Sequence, residues 1–279
     1  MVKLINKILP TAKLPLDVCR GTVKERYALA HKYTKKFIKN LDKYYPDTVP
    51  LSVDGYRKCL DETLTPYKID YYVKKQEGGD FGGTLEPVYK IVCPDEAAEI
   101  AYVENGSFNV YLQLDKSGHF IKSKRTAIHE TRHFFDHICN PKTNALDVNE
   151  QFNTDGVDDI CTGIHDMTFV NDYFASPYSK GFIDLYKQSM NSALDKLEPR
   201  LKIEILQKIR YSLITEINAY NEEINYLKRG GLIKRLKNSL NIYLYKEYVN
   251  NQARFAEKLD IVTDLLKNVM KKERQNLNI

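Results

Sequence analysis

The sequence has no tryptophan, no C-x-x-C pair and no apolar run near the roughly 18 residues that a membrane-spanning helix needs. Each absence narrows the choice. Without such a run, no membrane span is expected. The five cysteines (Cys19, Cys59, Cys93, Cys139 and Cys161) are odd in number and widely spaced. That pattern argues against a disulfide framework and for reduced thiols in a cytosolic protein. The opening stretch from Met1 to Pro10 is too polar for a signal-peptide core. Synthesis in the cytoplasm is therefore expected, with any export by another route. A strong charge of one sign is lacking as well. The net value is +5 over 279 residues, which does not call for a nucleic-acid partner. Internal repeats and low-complexity linkers are missing too.

What is present fits a globular chain. Apolar residues make up 43% and charged residues 28%, enough for a real core in one large domain or two modest ones. Residues 1–45 carry eleven Lys and Arg against three acids, and a second basic stretch runs from Lys228 to Lys237. Solvated helix faces account for both; an acidic partner is the sharper alternative.

Periodicity organises the chain. Val23, Tyr27, Ala30, Tyr33, Phe37, Leu41 and Tyr44 recur at helical steps, which predicts a helix over 22–44 that stops before Pro46. A short helix is expected near 54–63. Strands are predicted at 68–75, 87–93, 99–103 and 107–114, the last two joined as a hairpin at Asn105-Gly106. The glycine-rich stretch from Gly78 to Gly83 lacks the spacing of a phosphate or dinucleotide loop and reads as a plain loop. A helix is expected from about 123 to 138, ended by Asn140-Pro141. Beyond an irregular stretch at 139–178, helices are predicted at 180–197, 200–228 and 232–272. The resulting expectation is an α+β fold with a small antiparallel or mixed sheet. An N-terminal subdomain would span 1–178 and a helical C-terminal subdomain 179–279.

The segment from Thr126 to His137 carries the chemistry. It contains His129-Glu130-Thr131-Arg132-His133. A helical residue advances about 100°, so side chains four apart point nearly the same way one turn along. His129 and His133 can therefore share one zinc ion (Zn2+). Glu130, beside them, is placed to take a proton from a water on the metal. By composition alone, such a pentapeptide arises by chance in about one chain of this kind in a hundred, so context matters. Here the segment is helix-compatible and flanked by Ile128, Phe134 and Phe135.

A third ligand is required, and four candidates stand open. Cys139 follows His133 by six residues, but Asp136 occupies the place where a turn-forming Gly would be needed. His137 shares the face, but three ligands along one straight helix reach a single ion poorly. The loop with Asp155, Asp158 and Asp159, followed by His165 and Asp166, offers carboxylates that are more often solvated. Glu216 lies within the edge of the apolar stripe Leu206, Ile209, Leu213, Ile217, Tyr220, Ile224 and Leu227, whereas Glu222 falls opposite. A carboxylate half-turned into a core needs a partner, and a zinc ion or a basic side chain would serve.

His-Glu-x-x-His with a distant Glu resembles the gluzincin branch of zinc metallopeptidases. Asp136, three residues after the second His, is similar to the arrangement in the anthrax lethal factor catalytic domain and its relatives. Glu216-Ile-Asn-Ala219-Tyr220 looks like the third-ligand helix of several gluzincins. Two short segments carry this resemblance. Arg132 departs from it by placing a charge inside the motif, and the gap of 83 residues from His133 to Glu216 is long. The resemblance implies a zincin-like fold, with strand 107–114 as the rim on which an extended peptide adds. It also raises the idea of an exported effector acting on a host protein.

The expected activity is zinc-dependent hydrolysis of peptide bonds, with His129, His133 and Glu216 as metal ligands and Glu130 as catalytic base. Tyr220, Tyr211 and His165 are candidates for holding the oxyanion. Asp136 is expected either to fix a ligand imidazole or to pair with Arg132. The partner would be a protein or peptide substrate. Two alternatives remain: a zinc hydrolase acting on another amide or ester, and a non-catalytic helical module with a basic N-terminal face.

Overall fold

Thr22 opens the first helix for a local reason. Its hydroxyl accepts the Glu25 amide at 3.3 Å, and the Glu25 carboxylate accepts the Thr22 amide at 2.6 Å. This reciprocal box satisfies two amides that a helix start leaves without partners. The Thr22 amide, first, and the Thr22 hydroxyl, which also donates to this carboxylate at 3.0 Å, hold the Glu25 carboxyl below its usual pKa. In the computed structural model of the chain, residues 22–46, 51–64, 70–75, 83–92, 102–112, 124–140, 160–161, 163–164, 166–170, 180–229 and 239–276 are described. Contacts divide the chain into two units, Met1–Ala145 and Leu146–Ile279.

In the first unit, helix α1 (Val23–Tyr44) buries Ala30, Thr34, Phe37, Ile38 and Leu41. Helix α2 (Val53–Leu64) packs on it through Tyr56, whose ring meets Phe37 edge-on at 5.5 Å. Polar ties add register: Lys36 donates to the Thr63 carbonyl at 2.9 Å and Asn40 to the Thr63 hydroxyl at 3.1 Å. Helix α3 (Lys124–Cys139) carries the His-Glu-x-x-His segment and lies on α1. Its apolar side is Ala127, Ile128, Phe134, Phe135 and Cys139, all buried. Phe135 stacks on Tyr33 of α1 at 5.4 Å. At the end of α3, Asn140 caps back to the Asp136 carbonyl through its amide (3.0 Å) and its side chain (2.9 Å).

Three backbone segments between α2 and α3 pair as a ladder: β1 (Asp70–Lys75), β2 (Gly83–Val92) and β3 (Tyr102–Leu112), in the order β1–β3–β2. β1 runs parallel to β3 and β2 antiparallel to it. The hairpin expected at Asn105-Gly106 does not form, because β3 continues through both residues. Val88 pairs with Ser107 and Lys90 with Glu104, so one residue of β2 faces two of β3. Asn105 and Gly106 thus make a bulge. Glycine tolerates the unusual backbone angles of a bulge as readily as those of a turn, and only the partner strand decides between them.

The second unit is built from α4 (Lys180–Leu194), α5 (Pro199–Lys228) and α6 (Ser239–Asn276). Pro199 stands at the expected break between these helices as the first residue of α5, where its missing N–H has no role. The core gathers Met190, Leu206, Leu213, Phe255 and Val262. A π-helical turn at Asp166–Val170 packs Met167 and Phe169 against it. Lys258 of α6 is 0% exposed within this core. Its ammonium donates to the Thr168 carbonyl and sits over the rings of Tyr186 (5.2 Å), Phe182 (5.6 Å) and Phe255 (5.8 Å). A buried cation needs such partners. Replacing Lys258 by Ala should lower unfolding stability by about 3 kcal/mol, and Met, which refills the volume, by distinctly less. Denaturant titration of both variants checks this; equal losses would exclude packing as the main term.

The α+β, zincin-like expectation is overturned by this architecture. Of the residues described in full, 92% are helical and none lies in a strand, so their packed core is all-α. The physical reason is that the buried apolar side chains described come from faces of helical period or from the short turns beside them. No helix among the described residues is long and apolar enough to cross a membrane.

Candidate metal centre

The geometry starts with α3. The Nε2 atoms of His129 and His133 lie 3.1 Å apart, and the rings meet at 70° with centroids 4.8 Å apart. Both ring nitrogens therefore converge on one point, as residues four apart on a helix should. Such a pair can share a proton or a cation. Glu216, the expected third ligand, lies half-buried on α5 of the second unit. Tetrahedral zinc, with bonds of about 2.0–2.2 Å, sets its ligand atoms roughly 3.3 Å apart. The two imidazoles already have that spacing. Two imidazoles and one carboxylate also form a donor set that zinc favours. The residues fit a divalent metal of this kind.

Beneath the histidines the helix is held from both neighbours. Tyr56 of α2 and Thr131 share a buried hydrogen bond of 3.0 Å. Burial, first, and the nearby Glu130 charge push the Tyr56 phenol well above its ordinary pKa, despite the Thr131 bond. Glu130 itself is only 5% exposed. Tyr56→Phe, which leaves Thr131 without this partner, should cost about 1 kcal/mol in thermal or denaturant unfolding. On another side, Arg132 grips Asp136 with two parallel bonds, Nε to Oδ2 at 3.0 Å and Nη2 to Oδ1 at 2.9 Å. The Arg132 Nη2 also reaches the Tyr27 carbonyl of α1 at 3.4 Å.

Several expected residues have other places. Cys139 is buried and, like Cys59 and Cys161, lies outside any disulfide. Asp155, Asp158, Asp159 and His165 lie outside the described residues, as does the glycine-rich loop at 78–82. Asp166 opens the π-helical turn. Tyr220 stacks on Phe255 at 5.8 Å and accepts from Asn251 at 3.4 Å, within the second unit's core. Glu222, expected on the face opposite the stripe, is buried all the same, together with Glu223. A cavity of about 320 Å³ lined by Gly163, Met167, Phe182, Leu185, Tyr186 and Ser189 contains none of the candidate donors.

Sequence reasoning left one contact unread. The Tyr56–Thr131 bond joins residues 75 positions apart, and nothing local signals it. The Arg132–Asp136 pair was legible as i,i+4 spacing, but its burial was not. Cys59 was read only as a reduced thiol. Burial, with Glu62 nearby, pushes its thiol up to about 11. At pH 8 it should resist a thiol reagent in the native chain and react after unfolding; rapid native labelling of Cys59 would contradict this burial.

Comparison of the chain with family models, curated proteins and solved structures gives no significant match.

Proposed function

We propose that the chain is a zinc-dependent metallopeptidase in which His129, His133 and Glu216 hold the ion and Glu130 is the catalytic base. The supporting observation is the approach of two imidazole nitrogens to 3.1 Å on one face of α3; Glu216 is the third ligand that the sequence pattern supplies. A bound zinc supplies Lewis acidity, making water acidic near neutral pH and polarising a carbonyl oxygen. The chain's own groups do the rest. His129 and His133 bind through Nε2 and orient the site. Glu130, next to His129 and largely shielded from solvent, accepts a proton from water at a carboxylate oxygen. It then delivers that proton to the departing amine nitrogen.

Metal analysis after zinc-replete expression, paired with a mixed-peptide cleavage assay, tests the reading. One zinc per chain and chelator-sensitive cleavage are expected. Zinc with turnover only of non-peptide esters or amides would favour the wider hydrolase reading, since the donor set is the same. A chain that takes up no zinc would return the helical interaction module, whose support is the helical core and the lysine-rich α1.

A further inference from the structure

We infer that Arg132 and Asp136 are positioning residues that fix the rotation of α3 and so set the metal affinity of the histidine pair, an inference that rests on the zinc reading above. Their side chains are 4% and 0% exposed, and the bond is bidentate. Such a pair is a poor device for stability alone, because well-packed apolar residues of similar volume do as well or better once desolvation is counted. What it adds is direction. A planar guanidinium meets a carboxylate through two parallel bonds in one arrangement only. The apolar contacts of Phe134 and Phe135 tolerate small rotations by comparison.

Position gives that direction a consequence. Arg132 precedes His133, and Asp136 lies three residues after it, adjacent on the helix surface. The third bond, from Arg132 to the Tyr27 carbonyl, ties the pair to α1. Asp136 holds the guanidinium in place, so rotation of α3 about its axis would stretch the bond to Tyr27 and swing both imidazoles. A turn of about 10° moves an atom roughly 6 Å from the axis by about 1 Å, half the length of a zinc–nitrogen bond. The pair therefore converts packing against α1 into the aim of the two Nε2 atoms.

The test compares the full-length chain with Arg132→Lys and with the double variant Arg132→Met/Asp136→Leu. Arg132→Lys keeps the charge and Asp136 but loses the fork. The double variant removes the ion pair without leaving a lone buried charge. Zinc affinity is measured by chelator competition, and the cobalt(II) visible spectrum reports coordination geometry. Both are read far below each variant's Tm. The expected result is zinc binding weakened about 10–100-fold in both, with an altered cobalt band and a Tm near wild type in at least one. A purely structural pair would lower Tm and leave both metal readouts unchanged in the folded protein, and that outcome overturns the inference. Wild-type protein that binds no zinc overturns the functional reading and this inference together. Wild type that binds zinc beside variants that bind it equally well overturns the inference alone.

Discussion

Glu130→Gln should abolish peptide hydrolysis while leaving the zinc in place. Removing a positioned general base costs about 10²–10⁴-fold in rate, and here the loss should fall on kcat, since proton transfer occurs in the reacting state. Glutamine keeps the size of the side chain but cannot take up a proton at neutral pH. Glu130 is not one of the proposed ligands, so zinc content should stay near one per chain. Its neighbours argue that the fold survives: Thr131 keeps Tyr56, and Arg132 keeps Asp136. The measurement is kcat on the best peptide from the cleavage assay, alongside metal content. Hydrolysis within a few-fold of wild type would remove Glu130 from the mechanism.

His133→Ala should cost still more on the binding side. Loss of an outer hydrogen-bond partner weakens a metal site about 10–100-fold, and loss of a direct ligand should exceed that range. Of the proposed ligands, only the His129 nitrogen and the Glu216 carboxylate would remain. Zinc and hydrolysis should disappear together. Helicity should persist, because alanine favours a helix interior and the apolar side of α3 is untouched. His137→Ala is the matched control. His137 stands one turn further along α3 but outside the donor group, so its loss should leave zinc stoichiometric. Zinc retained by His133→Ala, or lost equally from both variants, would sink the assignment of the imidazole pair.

Much of the helical skeleton was legible because it is written in local period. The stripe from Tyr27 to Leu41 marks α1, and Asn140-Pro141 marks the end of α3 within a residue or two. The strands were less so. Asn105-Gly106 looks like a turn when read alone, yet β3 runs through it, since a pairing partner distant in sequence turns the same backbone freedom into a bulge. The fold class failed for a related reason: strand-like segments were counted, and the weight of helical packing was not.

By itself the sequence determined that His129 and His133 face the same way, because a turn of helix allows nothing else. It also determined that Glu130 stands beside them. The tertiary structure alone decided that Arg132, a charge that looked misplaced, is buried against Asp136 and the Tyr27 carbonyl. It likewise decided that Thr131 meets Tyr56. Helical period acts over a few residues and can be read from them. Burial and long-range partnership depend on which surfaces the folded chain brings together, and no short stretch of sequence carries that information.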